Sequence, residues 1–293
     1  MKNKKDNGFA YFLLIVTSLF WGITWAVGRL LAVHLPSMSL ATVRYGIAVP
    51  LFFIILWIRK LSLRIPKNWI MPLLMMGLFS VTLYQAFFLF GVKYTAASDA
   101  SIIMGIEPIL IALLAVAYVN EPIKRGKILG FVLGFLGIII ISYFSPNTNV
   151  ENRLLGYFLV FGAAIVYAIY TVHLRNFQLK NKSPSSLLLI AWISLFGWLM
   201  TIPFALLEKP WTYTWNINAW LEIVYLALFS TVVGYLFYVE GVARIGATRS
   251  GVFINLVPVF GVLSSALLLS EVINFWHLFS FILIFMGVWF VNK

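Results

Sequence analysis

Apolar residues run in near-continuous stretches along the whole chain, broken by short polar clusters at Ser62 to Lys67, Asn120 to Pro122, Ser145 to Asn152, Asn176 to Pro184 and Lys209 to Asn216. Each stretch reaches about twenty residues, enough for a helix to cross ~30 Å of hydrocarbon. In lipid, only helices and closed barrels satisfy every backbone amide internally, and the period-two alternation of a barrel strand is missing here. The pattern therefore predicts helices near Phe9 to Val33, Ser37 to Ile58, Trp69 to Val92, Ala96 to Val119 and Lys127 to Phe144. It predicts five more near Leu154 to Leu174, Pro184 to Leu206, Ala219 to Val242, Gly246 to Leu269 and Phe275 to Val291. The first run follows the basic Met1-Lys2-Asn3-Lys4-Lys5 but is longer than the ~7–15 residues of a signal-peptide core, so it reads as a retained helix.

Composition agrees. Hydrophobic residues make up 62% of the chain and charged residues 10%, against about 25% charged in a soluble domain. The net charge of +12 would suggest a nucleic-acid partner if the cations formed a patch, but they sit in clusters between spans. With the N-terminus cytoplasmic, one side receives Lys2, Lys4, Lys5, Arg59, Lys60, Arg64, Lys67, Lys124, Arg125 and Lys127, and later Arg175, Lys180, Lys182, Arg244, Arg249 and Lys293. The other side receives Lys93, Arg153 and Lys209. That bias predicts cytoplasmic N- and C-termini and an even number of spans. Cysteine is absent, which removes disulfides, thiol catalysis and thiolate metal sites.

The chain also repeats itself. A shift of about 150 residues lays Leu78-Phe79-Ser80 on Leu228-Phe229-Ser230, Gly91-Val92 on Gly241-Val242, Pro108 on Pro258, Glu121 on Glu271 and Gly137 on Gly287. A slightly shorter shift lays Tyr11-Phe12-Leu13 on Tyr157-Phe158-Leu159 and Arg29 on Arg175. Spans one to five thus recur as six to ten, giving repeats over residues 8–144 and 154–291 of a single transmembrane domain. Because five is odd, the halves are inverted, an organisation typical of secondary transporters with a substrate site between the halves. The loop charges fit: Lys124, Arg125 and Lys127 correspond to Asn274, Phe275 and His277.

Leu19-Phe20-Trp21-Gly22 in the first span and Ala41-Thr42-Val43-Arg44-Tyr45 in the second resemble the ten-helix EamA branch of the drug/metabolite transporter superfamily. Ala96 to Gly130 is similar to that family's most recognisable stretch, and Gly246 to Gly287 to its second copy. The usual Glu-Arg pair after the fourth helix reads Glu121-Pro122 here, and Glu107 precedes the mid-helix proline. The resemblance implies an all-α membrane protein of ten helices. It also implies a central cavity framed by helices three, four, eight and nine, with one and six nearby and five and ten peripheral. It further implies export of amino acids or related metabolites, with sugar and nucleotide-sugar carriers among related branches.

Candidate chemistry centres on Glu107, close to the midpoint of the fourth span. A carboxylate at that depth costs roughly 2.5–3.5 kcal/mol on insertion scales, so it is read as a substrate-amine or proton site, against the plain alternative of a neutral acid in a helix contact. Pro108 beside it and Pro258 in the repeat should kink their helices and free carbonyls, with Asn255 one turn earlier. Arg44 could meet a substrate carboxylate or Glu107, or simply hold helices together. Trp21, Trp25, Tyr84, Gln85, Tyr167, Tyr170, Tyr235 and Tyr238 form a set in equivalent places of the two halves, suited to lining a cavity for organic substrates. Gly130, Gly134 and Gly137 read as a packing face, and Glu121 and Glu271 as acids complementing the N-terminus of the following helix. His34, His173 and His277 show no metal-ligand spacing, and no cofactor is expected. The expected partners are a small-molecule substrate and the lipid bilayer, with proton coupling through Glu107. A channel-like permease and an intramembrane enzyme are the rivals; the first lacks a repeated polar ring and the second a nucleophile–base constellation.

Overall fold

The computed structural model describes residues 4–119, 125–146, 152–181 and 185–291. Among these, nine helices are long and apolar enough to cross a membrane, and a shorter one, Phe275–Val291, completes the set. They are α1 (Gly8–His34), α2 (Ser37–Ile58), α3 (Lys67–Tyr94), α4, α5 (Arg125–Phe144), α6 (Arg153–Lys180), α7 (Ser186–Leu207), α8 (Ile217–Ile245), α9 and α10 (Phe275–Val291). Two are discontinuous: α4 comprises α4a (Ala97–Met104) and α4b (Glu107–Val119), and α9 comprises α9a (Ala247–Ile254) and α9b (Val257–Leu269). The fold is all-α and multi-pass, as the apolar pattern requires.

Three local features differ from the sequence expectation. α6 runs past Leu174 to Lys180 because Phe177 is buried edge-on against Trp69 at 5.2 Å, while the Trp69 indole N–H donates to Asn181 Oδ1 at 3.0 Å. Pro108 and Pro258 do not kink continuous helices; they sit in the first turn of a new half-helix, where a missing N–H costs nothing. The breaks fall just before them, closed by tight bonds from Gly105 N–H to Ile102 O and from Leu256 N–H to Phe253 O. Thirdly, the repeated Leu-Phe-Ser motif lies in a π-helical segment in each half, Leu78–Leu83 in α3 and Leu226–Val233 in α8. Such segments widen a helix and free backbone groups, and they concentrate at functional sites. The Glu121 reading lies outside the described residues.

Packing follows the repeat. α2 packs on α7 and α5 on α10, while α1 packs on α8 and α9b much as α6 packs on α3 and α4b. The α5–α10 contact is close enough that a Cβ on Gly130 would lie 2.5 Å from Gly287 O, and one on Gly287 2.6 Å from Gly130 O, so only glycine fits on either side.

The symmetry fails at one place. α4a is wholly buried and packs along α9b, with Ser101 against Gly261. Its mate α9a has, among its described side chains, only Ser250 buried, and it makes no comparable packing with α4b. The bundle is therefore tightly packed at the side where α4 begins, called the closed side, and loosely packed at the side where α1 begins and α10 ends, called the open side.

Candidate functional site

The π-segments and the helix breaks bring residues of both repeats together near the middle of the bundle. Glu107 begins α4b, partly buried, where a carboxylate is favoured by the helix N-terminus. Tyr84 of α3, Tyr167 and Tyr170 of α6, and Tyr235 and Tyr238 of α8 all lie within Coulombic range of it. Tyr84 and Tyr167 approach with ring centroids 5.2 Å apart, and Tyr167 and Tyr170 meet edge-on at 5.3 Å. Across from them, Trp21 contacts Tyr235 at 5.5 Å and Tyr238 at 5.4 Å.

Trp21 also repairs the α8 π-segment. Its indole N–H donates to Ser230 O at 3.0 Å, satisfying a carbonyl in the widened turn, and Thr24 Oγ1 lies 2.7 Å from Ser230 Oγ. Arg44, only 7% exposed, donates from Nε to Thr231 Oγ1 at 2.9 Å and from a terminal nitrogen to Ser230 Oγ at 3.3 Å. Its guanidinium stands 5.7 Å over the Tyr45 ring. Two of five N–H donors are thus engaged, leaving the rest for an anionic group. Among the described residues no ion pair joins Arg44 to Glu107, yet both lie within Coulombic range of Tyr84 and Tyr235. Acid and cation thus lie on the same group of tyrosines.

The remaining candidates are placed differently. Gln85 is buried, donating to the Tyr45 hydroxyl at 3.4 Å, and its Oε1 has no protein partner. Trp25 is buried on the closed side, edge-on to Phe88 at 5.0 Å and close to Gly261. Asn255 occupies the α9 break. Ser230, Thr231 and Tyr45 join the site without having been singled out by sequence. The signal that marks Ser230 is the repeated Leu-Phe-Ser motif, read there only as evidence of duplication; Thr231 directly follows it.

A second polar cluster lies on the closed side. Asp99 of α4a, 0% exposed, accepts from Ser145 Oγ at 2.9 Å and the Tyr157 hydroxyl at 2.8 Å, and His277 Nε2 lies 3.1 Å away. Beside it, Glu271 accepts from the N–H groups of Ala97 and Ser98 at 2.8 and 2.9 Å and from Ser98 Oγ at 2.5 Å, with Arg29 Nε at 3.6 Å. Glu271 therefore caps α4a of the other repeat, not the helix that follows it. Free amides at an N-terminus bind a carboxylate from any direction, and tertiary packing chose the partner. Arg29 also donates to the carbonyls of Val92 and Thr95 at the end of α3. On the open side Arg175, the mate of Arg29, is exposed, and Tyr11, the mate of Tyr157, stacks on Phe253 at 5.5 Å.

The profile of the EamA-like transporter family matches residues 8–143 and again 154–293. The chain belongs to the EamA-like transporter family. As a member of this family, it is a membrane transporter of the drug/metabolite superfamily and not an enzyme. It is 29% identical to the uncharacterized transporter YetK of Bacillus subtilis over 280 residues, covering 94% of this chain and 83% of that one. It is 25% identical to the "probable amino-acid metabolite efflux pump" of Salmonella typhimurium over 294 residues, covering 97% and 94% of the two chains. A solved crystal structure superposes with a TM-score of 0.68 at 18% identity over 96% of this chain and 95% of its own, a likeness of fold. Among the described residues no group of three or more metal-ligating side chains gathers.

Proposed function

We propose that this EamA-family protein is a secondary transporter that exports amino acids and related amines across the plasma membrane by alternating access, the two repeats at residues 8–144 and 154–291 rocking against each other. The reading is supported by the grouping of Arg44, Glu107 and the aromatic rings: Arg44 would offer donors to a carboxylate, Glu107 an acceptor to an ammonium, and the tyrosine and tryptophan rings would supply the walls. A zwitterion with an organic side chain satisfies all three at once. The name of the Salmonella typhimurium relative points the same way.

The distribution of basic residues supports cytoplasmic termini. On that orientation the open side is cytoplasmic, the state in which an exporter loads. Glu107 then has a second role, exchanging a proton for the substrate ammonium.

Proteoliposome counterflow with a panel of amino acids, amines and sugars, run with and without a pH gradient, tests the assignment. Amino acids or amines should exchange, and the gradient should accelerate their net flux. Glu107→Gln keeps size and hydrogen bonding but removes titration, so exchange should persist while acceleration disappears. Exchange of sugars alone would refute the substrate class, and unchanged gradient response in Glu107→Gln would refute the coupling role.

A further inference from the structure

The buried cluster around Asp99 takes no part in the central site. We propose that Asp99 and His277 form a proton-binding latch on the closed side, which fastens α4a to α10 while the proton is bound and loosens when it leaves. The inference rests on the transporter reading above, because a latch presupposes two states.

The geometry around the imidazole provides for both protonation states. Its Nδ1 lies 3.3 Å from the Asn274 backbone N–H and 2.9 Å from Asn274 Oδ1. A neutral ring accepts the first at its lone pair, and a charged ring donates to the second. Nε2 lies 3.1 Å from Asp99 Oδ1 but is not aligned for a hydrogen bond, so a neutral ring leaves it buried without a partner. The proton arrives from water at that side and binds the Nδ1 lone pair. Only then does the Asp99 contact become an ion pair, in surroundings where Coulombic attraction is poorly screened.

The neighbouring charges are otherwise occupied. Arg153 of α6 donates to the carbonyls of Ser142 and Ser145 and stands 5.6 Å over the Tyr157 ring. Arg29 of α1 pairs with Glu271, beyond the end of α9. α5 contributes Ser142 and the end of α3 contributes Thr95, neither of them charged. Among the described residues Asp99 thus touches Tyr157 and His277, with the Arg29 guanidinium, paired to Glu271, within Coulombic range.

The repeat supplies an internal control. The shift that pairs the halves places Arg249 opposite Asp99 and Lys127 opposite His277. Both carry donors only, so no acid–imidazole pair can form on the other side. There the equivalent helices, α9a and α5, make no comparable packing, whereas α4a and α10 touch. The contact that the latch makes is the contact that opening breaks.

The chain has no cysteine, so a spin-label pair at Leu154→Cys on α6 and Leu268→Cys on α9b reports the separation across the closed side without background. Distance distributions are measured in lipid nanodiscs at about pH 6 and about pH 8, on either side of the ordinary histidine range. The short, closed distance should dominate at the lower pH, and the open-to-closed ratio should rise about tenfold at the higher. His277→Gln and Asp99→Asn should each give the same ratio at both pH values, while His173→Gln should respond like the parent. Asp99→Asn preserves the size of the side chain, keeps an acceptor for one of Ser145 and Tyr157 and offers an N–H to the hydroxyl of the other, so it reads the latch even if the histidine variant folds poorly. A parent distribution indifferent to pH, or a response that survives in both latch variants, would overturn the proposal. No substrate is needed, so a pH response in a protein that exchanges no amino acid or amine would sink the export reading and leave the latch standing.

Discussion

Gly261→Ala should push the bundle away from the conformation described. A Cβ at Gly261 would lie 2.4 Å from Ser101 Cβ and 2.7 Å from Ser101 Oγ. Ordinary carbon contacts are ~3.5–4.0 Å, so α4a and α9b must separate by about 1 Å at the tightest point of the closed side. Overpacking of this kind costs about 1–3 kcal/mol, and it falls on the closed contact alone. The equilibrium should therefore shift about 5–150-fold toward opening on that side. The complementary substitution is Gly251→Leu on α9a, the repeat mate of Ser101, where a Cβ meets nothing within 4 Å. It should be silent in the present conformation and obstruct closure of the open side, so it should hold the protein where it is. The Leu154–Leu268 spin-label distance reads both. The steric reasoning fails if Gly261→Ala leaves that distance unchanged, or if the two variants shift it in the same direction.

Further outcomes follow from the same geometry. Trp21→Phe keeps the ring but abandons Ser230 O in the π-segment, at about 1–3 kcal/mol for an unpaired buried acceptor, and should weaken apparent affinity in counterflow while leaving the folded protein in the membrane. Glu271→Gln replaces charge-assisted capping of α4a with neutral bonds and should lower thermal stability by about 1–2 kcal/mol, measured by melting in detergent. Gly130→Val forces a branched side chain onto Gly287 O and should separate α5 from α10, seen as reduced stability with exchange in the surviving fraction intact. With cytoplasmic termini, a cysteine at Thr212 should react with an impermeant maleimide in intact cells and one at Ser62 should not; labelling at Ser62 would reverse the orientation.

The helices were legible because twenty apolar residues in lipid leave the backbone no alternative, and the duplication was legible because the two halves still share residues at a fixed spacing. Depth combined with that symmetry singled out Glu107 and the tyrosines Tyr84, Tyr167, Tyr170 and Tyr235, which lie within Coulombic range of it. Hydropathy could not reveal the π-segments, since a π-turn and an α-turn bury the same residues. The prolines announced a disturbance but not its form, because a kink and a fresh start both accommodate a missing N–H. Asp99 escaped notice because, near the start of a span, it resembles any interfacial acid. Its partner His277 is remote in the chain, and only the packing of α4a on α10 makes them neighbours. A clue was nevertheless present: where one half has an acid and a histidine, the other has Arg249 and Lys127.

The unequal ends of the two repeats bear on how direction is set in such a molecule. Two halves of one fold create an energy surface with two wells that symmetry alone would make equally deep. Their relative depth is then decided by the few side chains that the halves do not share. Here those residues lie at helix ends, far from the central rings, and a difference of about 1.4 kcal/mol between them reverses a tenfold preference. On the proposed function and latch, resting orientation and substrate choice are thus encoded in separate places. A descendant could exchange one for its opposite by altering a helix end, without touching the residues that recognise its cargo.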